Sequence, residues 1–144
     1  MITKPKYMKT TKANSHPAML WAGRIIYVLC ILFLLVDAIM KVVKAAPSIE
    51  GSIQLGWPQE AVQEIGIILL ACTILYAIPA TSILGAILLT GYLGGAMAIM
   101  MRAAIPGHPY LFPVIFGVLV WAALFLRDDK LRTIIPLKKK EENE

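Results

Sequence analysis

Ile83–Met101 reads ILGAILLTGYLGGAMAIMM, nineteen residues without a single charge. A helix rises ~1.5 Å per residue, so a run of this length matches the ~30 Å hydrocarbon core of a bilayer. Three more apolar runs share the chain with it: Ala18–Val36, Ile65–Ile78 and Leu111–Leu126. Arg24 is the one charge inside any of the four.

Composition points the same way. Hydrophobic residues make up 58% of the 144-residue chain and charged ones 16%, with a mean hydropathy of +0.72. Soluble domains lie nearer ~45–50% apolar and ~25% charged. A water-soluble helix keeps a polar face for solvent, and these runs have none. Ile65–Ile78 is short but reaches nineteen residues when extended back to Glu60, and Leu111–Leu126 has sixteen. Short spans are accommodated by snorkelling side chains or local thinning of the bilayer.

The breaks are marked by proline and glycine. Pro47 and Gly51 punctuate the first connection, and Pro106-Gly107-His108-Pro109 the third. Pro79-Ala80-Thr81-Ser82 makes a tight helical hairpin, with Thr81 or Ser82 expected to cap the next helix. The expected architecture is therefore an all-α four-helix transmembrane bundle over residues 18–136, with spans near 18–43, 60–78, 82–102 and 110–126. A basic segment, 1–17, precedes it and a charged tail, 137–144, follows.

Charge orients the bundle. Eleven of the fourteen basic residues lie at or within one turn of the two ends, from Lys4 to Arg24 and from Arg127 to Lys140. Lys and Arg favour the cytoplasmic side, so both termini are expected there, in a bacterial plasma membrane. Two cytoplasmic termini need an even number of spans, which agrees with four. The first run exceeds the apolar core of a signal peptide, so it is expected to remain as a span. The net charge of +5 fits topology and anionic lipid. It gives no support to nucleic-acid binding, because the Lys clusters lack interleaved aromatics.

This orientation places Asp37, Lys41, Glu64, Arg102 and His108 in one layer on the outer side. Asp37 and Lys41, at i and i+4, share a helix face. Arg102 lies on the face of Ala98, Gly95 and Gly91, so it is expected to turn inward. Two readings follow. In one, Asp37–Lys41 and Glu64–Arg102 are structural ion pairs. In the other, the cluster lines an outward pocket for a polar headgroup or small ligand. Charged groups within spans pair or line cavities, and either reading meets that demand.

Small residues crowd the third span. Gly91, Gly94, Gly95 and Ala98 are expected to carry close helix packing, with homo-oligomer contact as the alternative. Cys30 and Cys72 lie deep in separate spans with no C-x-x-C, and read as buried small hydrophobes. No His/Cys set has zinc spacing, no Ser–His–Asp arrangement is visible, and there is no phosphate loop. No catalytic residue and no metal site is therefore assigned.

Leu75-Tyr76-Ala77-Ile78-Pro79-Ala80-Thr81, followed by Leu84 to Ala96 (LGAILLTGYLGGA), resembles the DoxX-like family of small four-span membrane proteins. Asp37-Ala38-Ile39-Met40-Lys41, Leu111-Phe112-Pro113, Trp121 and Leu126-Arg127-Asp128 match as well, so the likeness covers Trp21 to Pro136. The family is named for its similarity to the membrane subunit of an archaeal thiosulfate:quinone oxidoreductase. Other relatives act in assembly or trafficking of membrane proteins. Two positions depart from the family pattern: Leu69 stands where a glutamate is common, and Met100 where a histidine is common.

The resemblance implies a membrane protein that binds a lipid, quinone or partner protein without catalysis of its own. The alternative is the membrane subunit of a quinone-linked oxidoreductase, which would need a partner redox protein because the chain has no electron carrier. A third reading is a transporter of a small anion using Lys41 and Arg102. Quinone is the one cofactor the resemblance raises, and membrane lipids are the partners that composition requires.

Overall fold

The structure, a computed structural model, describes residues 16–134. Those residues are all-helical, in six helices with no strand among them. They are α1 (Pro17–Val42), α2 (Ala46–Gln54), α3 (Ala61–Ala77), α4 (Ser82–Arg102), α5 (Leu111–Arg127) and α6 (Asp129–Ile134). The charged tail and nearly all of the basic N-terminal segment lie outside the described residues.

Local chemistry sets the ends. Pro17 opens α1 and Pro47 falls in the first turn of α2, where a missing N–H leaves no helical bond unmade. α2 differs from the sequence expectation, which places Pro47 and Gly51 in a connection. It closes on Gly56, whose φ of 88° is open to glycine without strain. There the Trp57 N–H donates to the Ser52 carbonyl at 3.0 Å and the Gly56 N–H to Ile53 at 2.9 Å. This paired capping turn folds Trp57 back beneath the helix.

The α3–α4 hairpin corrects the expected cap. Thr81 is the N-cap residue of α4 but makes no side-chain cap bond. Its hydroxyl donates instead to the Leu75 carbonyl at 2.8 Å, and Ser82 donates to Pro79 at 3.2 Å. The last carbonyls of α3 need donors as much as the first amides of α4 need acceptors, and here the hydroxyls serve the carbonyls.

α1 packs on α3 and α5, and α4 packs on the same two, closing a four-membered ring. α2 rests on α1 and α3 at one end, and α6 folds back on α5 at the other. Successive helices run antiparallel, because the start of each meets the end of its neighbour. Gly23 faces Leu126 and Arg127, Gly66 faces Lys41 and Val42, and Gly85 faces the backbone of Tyr76.

Burial follows one stripe per helix. On α1 it is Gly23, Tyr27, Cys30, Leu34 and Ala38. The core continues through Leu69, Tyr76, Leu89 and Val120. The Tyr27 hydroxyl donates to the Tyr76 carbonyl at 2.6 Å, and the Tyr76 hydroxyl to the Val120 carbonyl at 2.9 Å. Buried phenols need such partners, and these two tie α1, α3 and α5 together. Arg127 lies over the Tyr27 ring at 3.9 Å.

The outside is as apolar as the inside. Leu29 is 61% exposed, Ile68 55% and Val118 64%. α1 and α4 are long and apolar enough to cross a membrane, and only about a fifth (22%) of each apolar window is buried within the chain. A core helix of a soluble protein would be mostly buried. α3 and α5 are apolar helices of 17 residues.

Candidate functional site: a cavity at the α2 end of the bundle

A cavity of about 590 Å³ opens at the end of the bundle that carries α2. α1 contributes Phe33, Asp37 and Lys41, spaced i, i+4 and i+8 on one face. α2 and the turn after it roof the space with Ser48, Ser52 and Trp57. Ile65 and Ile68 come from α3. α4 supplies Gly91, Tyr92, Gly95 and Met100, and α5 supplies Phe112 and Phe116.

Three phenylalanines form an aromatic wall. Phe33 lies 4.4 Å from Phe116 and 5.3 Å from Phe112, centroid to centroid, and Phe112 lies 4.8 Å from Phe116. Further along the same face of α1 as Phe33 is an ion pair in which Lys41 Nζ donates to Asp37 Oδ1. The Lys41 side chain is 16% exposed and that of Asp37 37%. Lys41 also sits in the last turn of α1, where its charge complements the helix dipole. The lining is thus largely apolar, with one charged pair and a few uncharged polar groups, the usual make-up of a small-molecule pocket.

Not every expected member joins it. Glu64 is exposed and makes no ion pair among the described residues. Gly66 brings α3 directly onto α1, with a Cβ there falling 2.6 Å from Lys41 Cβ. Glu64, two residues earlier, consequently projects from the far side of α3. It lies in the first turn of α3, where a carboxylate complements the helix dipole. Arg102 does not turn inward. It ends α4 exposed, past the last lining residues Ile99 and Met100. His108 is exposed on the α4–α5 connection, with its Nδ1 hydrogen-bonded to the Tyr110 hydroxyl at 3.0 Å. The five-residue cluster therefore reduces to the Asp37–Lys41 pair.

The glycines of α4 also require correction. A Cβ added at Gly91, Gly94 or Gly95 would meet nothing within 4 Å, and Ala98 is exposed. Close packing within the chain belongs to Gly23, Gly66 and Gly85. Beyond the first turns of α4 the glycines leave space open: Gly91 and Gly95 line the first cavity. Gly94 lines a second one of about 650 Å³ between α4 and α5. In that second cavity the Trp121 indole N–H donates to Thr90 Oγ1 at 2.8 Å, and Thr90 donates to the Ala86 carbonyl at 2.7 Å. Its polar groups are thereby already engaged.

A family model for the DoxX-like family matches residues 25–123. The chain belongs to the DoxX-like family. No curated protein and no solved structure matches it. Membership, together with the exposed apolar faces of α1 and α4, makes this DoxX-like chain an integral membrane protein. The matched segment contains the ion pair, the aromatic wall and both α4 glycines of the cavity.

The two departures from the family pattern fall in different places. Leu69 is fully buried in the core, where packing closes its position. Met100 lines the cavity with a flexible thioether. Cys30 and Cys72 are buried and line neither cavity. Among the described residues no group of three His, Cys, Asp or Glu side chains could hold a metal ion. Sequence reasoning had not singled out Phe33, Tyr92, Phe112 or Phe116. The signal for Phe33 was present in its i−4 spacing from Asp37.

Proposed function

We propose that this DoxX-like protein crosses a bacterial plasma membrane four times and holds an amphipathic ligand in the α2-end cavity, without chemistry of its own. The observation that carries the proposal is the cavity itself: about 590 Å³, walled by aromatic and aliphatic side chains and carrying a single ion pair. A lipid or a quinone has that division between apolar body and polar head. With both termini cytoplasmic, as the basic ends favour, the cavity lies in the outer half of the bilayer. At ~1.5 Å per residue, α3 and α5 rise about 25 Å, slightly less than the hydrocarbon core, and modest thinning accommodates the difference.

Filling the cavity tests the proposal. Gly95 lines it and has free space at its Cβ position, so Gly95→Leu occupies the ligand's volume without displacing a neighbouring helix. Native mass spectrometry of the purified protein should show one retained amphiphile on the wild type and its loss in Gly95→Leu, at an unchanged unfolding temperature. Equal retention in both proteins would remove the cavity from consideration.

A further inference from the structure

The ion pair at the wall constrains the ligand's polar group more tightly than size does. An ammonium carries three donors and a carboxylate two acceptor oxygens. Among the described residues, the Lys41–Asp37 contact is the one side-chain hydrogen bond either group makes, and it uses Oδ1. Two N–H donors and Oδ2 are left without protein partners beside the cavity.

Among the described residues no other charged side chain lines that space. The remaining polar groups at its wall belong to Tyr92, Ser48, Ser52 and Trp57, all uncharged. Ser52 is already committed to the Ser48 carbonyl at 2.8 Å. An anionic head would be drawn by Lys41 and repelled by Asp37 beside it, and a cationic head the reverse. Neither would recover the cost of shedding its water in an apolar pocket. A hydroxyl differs. Its oxygen accepts from Lys41 while its O–H donates to Asp37, so it makes two charge-assisted bonds and adds no net charge.

We propose that the cavity takes an uncharged, hydroxyl-bearing amphiphile, its hydroxyl seated between Lys41 Nζ and the Asp37 carboxylate and its apolar body against Phe33, Phe112 and Phe116. This rests on the cavity reading above and adds the ligand's chemical class.

The test uses three probes with one tail: oleyl alcohol, oleate and oleylamine, titrated onto the detergent-purified full chain and read by native mass spectrometry. Oleyl alcohol should bind about tenfold more tightly than either charged probe, a difference of one decade in Kd. Asp37→Asn should move the preference to oleate, and Lys41→Met should move it to oleylamine. The wild-type ranking alone decides the matter even if a variant folds poorly. Oleate or oleylamine binding the wild type as well as the alcohol would overturn the hydroxyl proposal while leaving the cavity in place. If no probe binds and Gly95→Leu changes no retained ligand, the cavity reading fails as well.

Discussion

Gly85 at the start of α4 lies directly against the backbone of Tyr76 near the end of α3. A Cβ built on Gly85 falls 2.7 Å from the Leu75 carbonyl carbon and closer still to Tyr76. Backbone cannot rotate away as a side chain can. Gly85→Ala should therefore lower stability by about 1–3 kcal/mol, the usual cost of overpacking. Gly94→Ala, facing open space, should leave the unfolding temperature in detergent unchanged. Equal effects at the two positions would contradict the assignment of close packing to Gly85.

The paired phenols give a graded series. Tyr76→Phe removes the bond to the Val120 carbonyl and should cost about 1 kcal/mol. Tyr27→Phe removes the bond to the Tyr76 carbonyl at similar cost but keeps the ring under Arg127. Tyr27→Leu also loses that ring, worth about 0.5–1 kcal/mol more where a cation stacks near the surface. Thermal unfolding in one detergent should rank Tyr27→Leu as the least stable. A Tyr27→Phe variant as unstable as Tyr27→Leu would show that the stacking contributes nothing.

Arg102→Ala should be nearly silent for stability, within about 0.5 kcal/mol, as is usual for exposed substitutions. The side chain has no carboxylate partner among the described residues, so its removal strands no opposite charge. A large loss of stability, partly recovered by Glu64→Gln, would restore the interhelical pair that the sequence suggested.

Topology is checked by reporters. Fusions at Glu144 and within the loop at Gly107 should report opposite sides of the membrane, with Glu144 cytoplasmic. A C-terminal reporter on the far side would be incompatible with four spans and a cytoplasmic N-terminus.

The helices were legible because hydrophobic runs ended by proline or glycine leave little choice of boundary. Pro79 and Pro106 fall in connections, as read from sequence. α2 was hidden because Ala46–Gln54 is short, only moderately apolar and begins on a proline that also reads as a breaker. The Asp37–Lys41 pair was legible from i, i+4 spacing, a purely local relationship. The Glu64–Arg102 pairing was not, because it depended on how far each helix rotates about its axis. That rotation is fixed by Gly66 and Gly85, whose neighbours lie on other helices. Gly91, Gly94 and Gly95 misled for a related reason: a small residue permits close approach but does not require it. Whether Gly91 admits a helix or a ligand depends on what faces it.

Gly91 and Gly95 are exposed while also lining the cavity, so one wall of the site is bare backbone on a helix that otherwise presents apolar side chains to its surroundings. For the ligand proposed above, such a wall in a bilayer would be a side entrance. A ligand arriving through it comes from the leaflet and never passes through water. The concentration that governs occupancy is then the ligand's mole fraction among the lipids, and a compound with almost no aqueous solubility can still saturate the site.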